Sequence, residues 1–206
     1  SISVVTHDLK TADSIEAAYY VLHPGSTKGR EGAFGVQRVA DALCMVFDSY
    51  LPRLTFLLEN TSGAGSLVGS SFAELADIIG RVSDRCPAAR LGVCMDTAHC
   101  CAAGIDVRST TAVDGLARDI RATIGARQLC VIHANDSATP CGSHRDHHAH
   151  IGKGTIGLAG FANLMALPLF RSLPWILETP KDDEASDAVN AAALRALYAG
   201  AGEARA

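Results

Sequence analysis

Five short apolar runs, each closing on a side chain able to bind a metal or move a proton, constrain this chain more than any other feature. They are Ala18-Tyr-Tyr-Val-Leu-His23, Leu54-Thr-Phe-Leu-Leu-Glu59, Leu91-Gly-Val-Cys-Met-Asp96, Leu129-Cys-Val-Ile-His133 and Trp175-Ile-Leu-Glu178. Each is continuous rather than alternating, partly β-branched or aromatic, and bounded by turn residues. That is the pattern of a strand buried on both faces of a parallel sheet. Between the runs lie segments of helical period. Val36–Tyr50 carries a stripe of Val36, Val39, Ala40, Leu43 and Phe47, and Phe72–Val82 one of Leu75, Ile78, Ile79 and Val82. Ala112–Ile124 and Asp187–Tyr198 follow suit. Alternating strands and helices imply βα units with right-handed crossovers.

The strand ends recur at nearly constant intervals: His23 to Glu59 spans 36 residues, Glu59 to Asp96 37, Asp96 to His133 37, and His133 to Glu178 45. A βα unit of a (β/α)8 barrel takes about 31 residues, so these are slightly long units of a TIM barrel. Only five units are visible, and a closed barrel needs eight. The expectation is therefore an incomplete α/β barrel whose first three units would precede Ser1, a reading that the absence of an initiator Met favours. No linker-like stretch interrupts the series, so residues 1–206 read as one domain.

Composition narrows the partners. With 18 Lys and Arg against 22 Asp and Glu, the net charge is −4, which removes a generic basic polyanion binder. No apolar run is long enough to span a membrane, and the first residues lack the layout of a signal peptide. Seven cysteines, without a CxxC pair and several inside apolar runs, read as reduced thiols of an intracellular protein. Nothing points beyond a monomer.

In a barrel of this kind all strand C-termini converge on one face. One polar strand end would read simply as a hydrogen-bonded or capping group. Five in register, His23, Glu59, Asp96, His133 and Glu178, are different, because burying such a set without a cation is costly. A mixed nitrogen and oxygen donor set suits zinc, and manganese or iron less specifically. Asp96-Thr-Ala-His99 adds an imidazole one turn beyond a strand end. In the loop after His133, Asp146 and His148 stand two apart on an extended segment, project to one side, and could complete a site with His99.

These blocks carry a resemblance. Leu58-Glu-Asn-Thr-Ser-Gly-Ala-Gly65, Gly92-Val-Cys-Met-Asp-Thr-Ala-His99 with Ala103-Gly-Ile-Asp106, and His133-x-Asn-Asp136 with Asp146-x-His148-x-His150-Ile-Gly-x-Gly154 resemble the signature stretches of the endonuclease IV family. His23-Pro-Gly-Ser26 and Ile176-Leu-Glu-Thr179 are similar to two further blocks, in the right order. Members are zinc-dependent apurinic/apyrimidinic endonucleases built on a xylose-isomerase-like TIM barrel. The resemblance implies three zinc ions, Glu59 bridging two of them. The first would also take His23; the second Asp96, His133 and Glu178; the third His99, Asp146 and His148. Glu59 and Glu178 would be the catalytic carboxylates. The family's further His ligand from an earlier strand end has no counterpart: His7 lies in a helical segment. His147 stands where the family commonly has Arg.

The implied reaction is hydrolysis of the phosphodiester 5′ to an abasic site in double-stranded DNA, which suits clustered divalent ions. Three ions bring roughly six positive charges, partly offset by four carboxylates, and so create an anion trap on an acidic protein. Lys28, Arg30, Arg108, Arg145 and Lys153 are candidate contacts to the DNA backbone, with Lys181 in the same class. Two other readings stay open: a sugar isomerase or epimerase of the same barrel type, and an inactive fragment or binding module. Gly63-Ala-Gly65 and Gly152-Lys-Gly154 are too short to be nucleotide-binding signatures.

Overall fold

The protein is described by a computed structural model covering residues 2–203. Its elements in chain order are α1 (Ile2–Ser14), β1 (Tyr19–Leu22), α2 (Gly32–Ser49), β2 (Thr55–Glu59), α3 (Phe72–Arg85), β3 (Leu91–Asp96), α4 (Thr97–Ala102), α5 (Thr110–Ala122), β4 (Leu129–His133), β5 (Asp136–Ser137), β6 (His148–Ala149), α6 (Gly157–Met165), α7 (Pro168–Arg171), β7 (Trp175–Ile176) and α8 (Ser186–Glu203). A 3-10 turn, Ala126–Gln128, leads into β4.

β1, β2, β3, β4 and β7 form one parallel sheet in that spatial order, the curled half of an α/β barrel. All five apolar runs contribute a strand, and all four periodic segments are helices. Local chemistry sets the boundaries. Ser71 caps α3 by accepting from the Glu74 N–H, and Glu74 returns its carboxylate to the N–H groups of Gly69 and Ser70, a reciprocal cap. Ser109 caps α5 through the Ala112 N–H.

Two of the strands differ from expectation. β2, β3 and β4 are buried on both faces, but β1 and β7 are the sheet edges, and Tyr19 is 39% and Ile176 46% exposed. β7 is also shorter than its apolar run, ending at Ile176 instead of Glu178.

The pleat positions the site. The outward face of the sheet carries Phe56, Leu58, Val93, Met95 and Ile132 into the main core beneath the helices. The inward face carries a separate apolar layer of Leu57, Cys94 and Val131, with Val21 packed beside them. Because side chains alternate, the residue two further along each strand points the same way. Val21, Leu57, Cys94, Val131 and Ile176 are therefore succeeded on the inner face by His23, Glu59, Asp96, His133 and Glu178. Register then sorts these in height. Leu22 pairs with Leu58 and Asp96 with His133, whereas Glu59 is level with Cys94 and His133 with Ile176. The strand-end groups thus climb in two steps around the curl, the stagger that closing a sheet requires.

No helix among the described residues is long and apolar enough to cross a membrane.

Candidate metal centre

All eight sequence-derived ligand candidates lie at the C-terminal end of the sheet, and their donor atoms fall into overlapping clusters. Glu59, Asp96, His133 and Glu178 form one; His23, Glu59 and His99 a second; Asp96, His99 and His148 a third. Asp146 joins the last, with Oδ2 3.0 Å from His99 Nε2 and Oδ1 3.3 Å from His148 Nε2.

Glu59 is the hub. It is buried, its Oε2 lies 3.2 Å from His23 Nε2, and its Oε1 lies 3.0 Å from His133 Nδ1 and 3.4 Å from His99 Nδ1. His133 Nδ1 is also 3.1 Å from Glu178 Oε2. Asp96 does two jobs. Its Oδ1 caps α4 by accepting the His99 N–H at 2.7 Å, while its Oδ2 faces the cluster. That cap makes the Asp-x-x-His spacing work: a residue that starts the helix also fixes where the imidazole one turn later points.

A surrounding layer of fixed dipoles orients the imidazoles. His99 Nδ1 lies 2.9 Å from the Asn60 carbonyl and His148 Nδ1 3.0 Å from the Glu178 carbonyl, so each ring donates there and presents Nε2 to the cluster. The Asn135 amide donates to Asp96 Oδ2 at 2.6 Å, and its oxygen accepts the Glu178 N–H at 3.0 Å. Asn60 receives the Asp96 N–H at 2.7 Å. Asp136 accepts the N–H groups of Ser137, Gly152, Gly154, Ile156 and Gly157, fixing the turn that follows His148. A Cβ on Gly154 would run into the Ser137 carbonyl and the Asp136 carboxylate, which makes glycine obligatory in that turn. Asn60, Asn135 and Asp136 stand in the sequence motifs without any role that their residue type alone announces. A further donor not among the sequence candidates is Cys94, whose buried thiol lies against His133. For the asparagines the available signal was adjacency to a candidate ligand; for Cys94 it was the two-residue offset beneath Asp96.

The electrostatics call for positive charge. Burial raises Asp96 above the usual carboxylate range. Burial also works against ionised Glu59, but hydrogen bonds from His133, His23 and His99 outweigh it and hold that carboxyl well below its ordinary value. The close charge of His148 and the hydrogen bond from His99 lower Asp146 in the same way, and His133 lowers Glu178. The imidazoles answer in kind. Against the pull of burial, Asp146 and Glu59 push His99 up to about 11, contacts with Cys94, Glu178 and Glu59 push His133 up to about 12, and Asp146 and Asp96 push His148 up to about 9. Glu59 raises His23. With protein groups alone, imidazolium supplies the balancing charge; a divalent cation would take that part and release the protons.

A metal fits these residues on one independent ground as well. His148 Nε2 is buried and makes no hydrogen bond, although its Nδ1 is satisfied by the Glu178 carbonyl and carboxylate oxygens of Asp146 and Asp96 stand 3.3 and 3.8 Å away. Once its proton is released, that nitrogen aims a lone pair into a carboxylate-lined space, which is what a ligand nitrogen offers. The neighbouring cleft, about 370 Å³, is lined by Val21, Leu22, His23, Glu59, His133 and Glu178.

The candidate DNA contacts Lys28, Arg30, Arg108, Arg145 and Lys153 are all exposed. Arg108 is paired with Asp106 at 2.9 Å, and Lys181 with Asp187 at 3.3 Å. His7 lies in α1, away from any strand end.

A parallel α/β sheet with polar donors gathered at its C-terminal end defines a class, and the model of xylose isomerase-like TIM barrels matches residues 1–199. Within that class, a probable endonuclease 4 of Halothermothrix orenii is 44% identical over 88% of this chain and 64% of its own length. One from Aquifex aeolicus is 38% identical over 96% of this chain and 69% of its own. The crystal structure of endonuclease IV from Thermus thermophilus superposes with a TM-score of 0.81 at 34% identity, over 97% of this chain and 68% of that one. The chain belongs to the endonuclease IV family. It spans roughly two thirds of the length of these relatives.

Proposed function

We propose that this chain carries the catalytic part of a DNA-repair endonuclease. The reaction is hydrolysis of the phosphodiester 5′ to an abasic site in double-stranded DNA, leaving a 3′-hydroxyl and a 5′-deoxyribose phosphate. The observation that supports it best is Glu59, one carboxylate whose two oxygens are engaged by imidazoles from three different segments, His23, His99 and His133. That is the arrangement a bridging ligand of a multinuclear centre needs. A sugar isomerase or epimerase working with one or two ions has no use for a further set of His99, Asp146 and His148.

In this reading His23 and Glu59 hold the first zinc, Glu59, Asp96, His133 and Glu178 the second, and His99, Asp146 and His148 the third; the same donors accept manganese. Bound there, the ions supply a water acidified toward neutral pH and neutralise charge on the phosphoryl oxygens. The chain's own groups do the rest. Glu178, kept ionised by His133 and half-exposed at the cleft, accepts a hydrogen bond from the incoming water and aims it. Glu59, buried and immobile, keeps the donor clusters at fixed separation. Asn135 links the carboxylate of Asp96 to the backbone of Glu178, so β3 and β7 present their ligands as a unit. Lys28, Arg30, Arg108, Arg145 and Lys153 contact the phosphate backbone on an otherwise acidic, monomeric, intracellular protein.

The test pairs elemental analysis with cleavage of a duplex carrying one abasic site, with and without chelator, for the chain and for H148A. Expected are bound zinc or manganese, chelator-sensitive nicking 5′ to the lesion, and loss of one metal equivalent in H148A with loss of nicking. Metal-loaded protein that leaves the abasic duplex intact but interconverts ketoses would overturn the reading in favour of an epimerase.

A further inference from the structure

Beside the metal centre two cysteines that the reaction does not use sit thiol to thiol. Cys101 lies on α4, two residues past His99, and is fully buried. Cys141, half-buried, lies in the loop between β5 and β6 and packs against the same apolar cluster. Their side chains pack side by side in that cluster. The two segments are also joined through the backbone: Gly142 N–H donates to the Cys101 carbonyl at 2.7 Å, and His144 N–H to the Ala102 carbonyl at 2.9 Å. Glycines face each other across the same seam, where a Cβ on Gly104 would lie only 3.7 Å from Gly142 Cα. A disulfide needs close Cα atoms and converging Cβ vectors. The backbone hydrogen bond from the residue after Cys141 to the carbonyl of Cys101 itself supplies the first, and packing in one cluster brings the two side chains together.

We propose that Cys101 and Cys141 are a peroxide-oxidisable pair that closes an intramolecular disulfide, tying α4 and its His99 to the loop that carries Asp146. Cys141 is the thiol a peroxide can reach, since Cys101 has no exposed surface. Its sulfur attacks one peroxide oxygen, the O–O bond breaks, one water leaves and a sulfenic acid forms. The Cys101 sulfur then attacks the Cys141 sulfur and displaces the hydroxyl, which departs as water with the remaining thiol proton. Two thiols and one hydrogen peroxide give one disulfide and two waters.

The full chain is exposed to a small excess of hydrogen peroxide, alkylated with iodoacetamide after denaturation, and mapped by mass spectrometry without reduction. The expected result is a mass loss of two hydrogens, five alkylated cysteines instead of the seven present, and a linked peptide pair containing Cys101 and Cys141 that dithiothreitol separates. Cys44 and Cys86 are the other thiols in contact, on α2 and at the end of α3, and serve as the comparison. Cys141→Ser should abolish the link and leave Cys101 fully alkylated, whereas Cys44→Ser should leave the link in place. Irreversible oxygenation of Cys141 with Cys101 still alkylated, or a link confined to Cys44 and Cys86, would overturn the proposal.

Discussion

Replacing Asn135 by alanine isolates the contribution of the dipoles around the ligands. Asn135 is fully buried; its amide donates to the buried Asp96 carboxylate at 2.6 Å and its oxygen accepts the Glu178 N–H at 3.0 Å. The first bond is charge-assisted and contributes about 1.5–3 kcal/mol, the second about 1 kcal/mol; truncation also strands a carboxylate oxygen that burial already disfavours. We expect Asn135→Ala to lose about 3 kcal/mol, read as a fall of about 1 M or more in the urea midpoint at unchanged m-value. Because the same side chain orients two proposed ligands, zinc affinity measured against a competing chelator should fall by about 10- to 100-fold. The isosteric Asn135→Asp should be worse still without metal, since it sets a second negative charge against Asp96. A loss below about 1 kcal/mol with unchanged zinc affinity would refute the reasoning, showing that β3 and β7 alone hold Asp96 and Glu178 in place.

Other consequences can be checked in the same material. Asp136→Asn keeps the shape but removes the charge that gathers five backbone N–H groups; a loss of about 2–3 kcal/mol is expected by chemical denaturation. Gly154→Ala should destabilise by about 2 kcal/mol or more, because its Cβ meets the Ser137 carbonyl and the Asp136 carboxylate, and the effect is read as a lowered thermal midpoint. His148, held up at about 9 in the folded chain against an ordinary value of 6.5, contributes to metal-free stability fully below about pH 6.5, and that contribution disappears as pH rises through 9. Unfolding in chelator should follow that direction, whereas zinc affinity should rise over the same window. Calorimetric titration in buffers of different ionisation enthalpy should show proton release on binding.

The strands and the candidate ligands at their ends were legible in the sequence because one rule governs both. A buried parallel strand is written as a continuous apolar run, and its inner-face register carries on into the first residue beyond it, so His23, Glu59, Asp96, His133 and Glu178 could be located by position alone. The end of β7 was not legible. Glu178 leaves the ladder because its N–H is taken by the side chain of Asn135, 43 residues away, and nothing local announces such a partner. The same holds for the turn after His148, where Asp136 gathers amides from 16 to 21 residues downstream. α6 and α7 lacked an assigned period, α6 because it is apolar nearly throughout. His99 was assigned to one cluster on its spacing from Asp96; in the fold it stands between two, with Nδ1 towards Glu59 and Nε2 towards Asp146.

That intermediate place of His99 ties the clusters together electrostatically. Its ring lies 5.3 Å from that of His23 and 5.6 Å from that of His148, so three imidazoles line up across the mouth with carboxylates interleaved. Three adjacent cations would repel one another strongly in a buried setting. The arrangement accommodates such protonation because Glu59, Asp96 and Asp146 each face at least two of these rings, and no imidazole of the cluster depends on a single carboxylate except the half-exposed His23. Removing any one of these three carboxylates therefore leaves at least two imidazoles undercompensated, and removing His99 frees negative charge on three carboxylates, His148 on two. Such a lattice resists partial occupation: filling one cluster changes the charge seen by the next. If divalent ions replace the protons, their binding is coupled through Glu59 and His99, and the first ion to enter sets the affinity for those that follow.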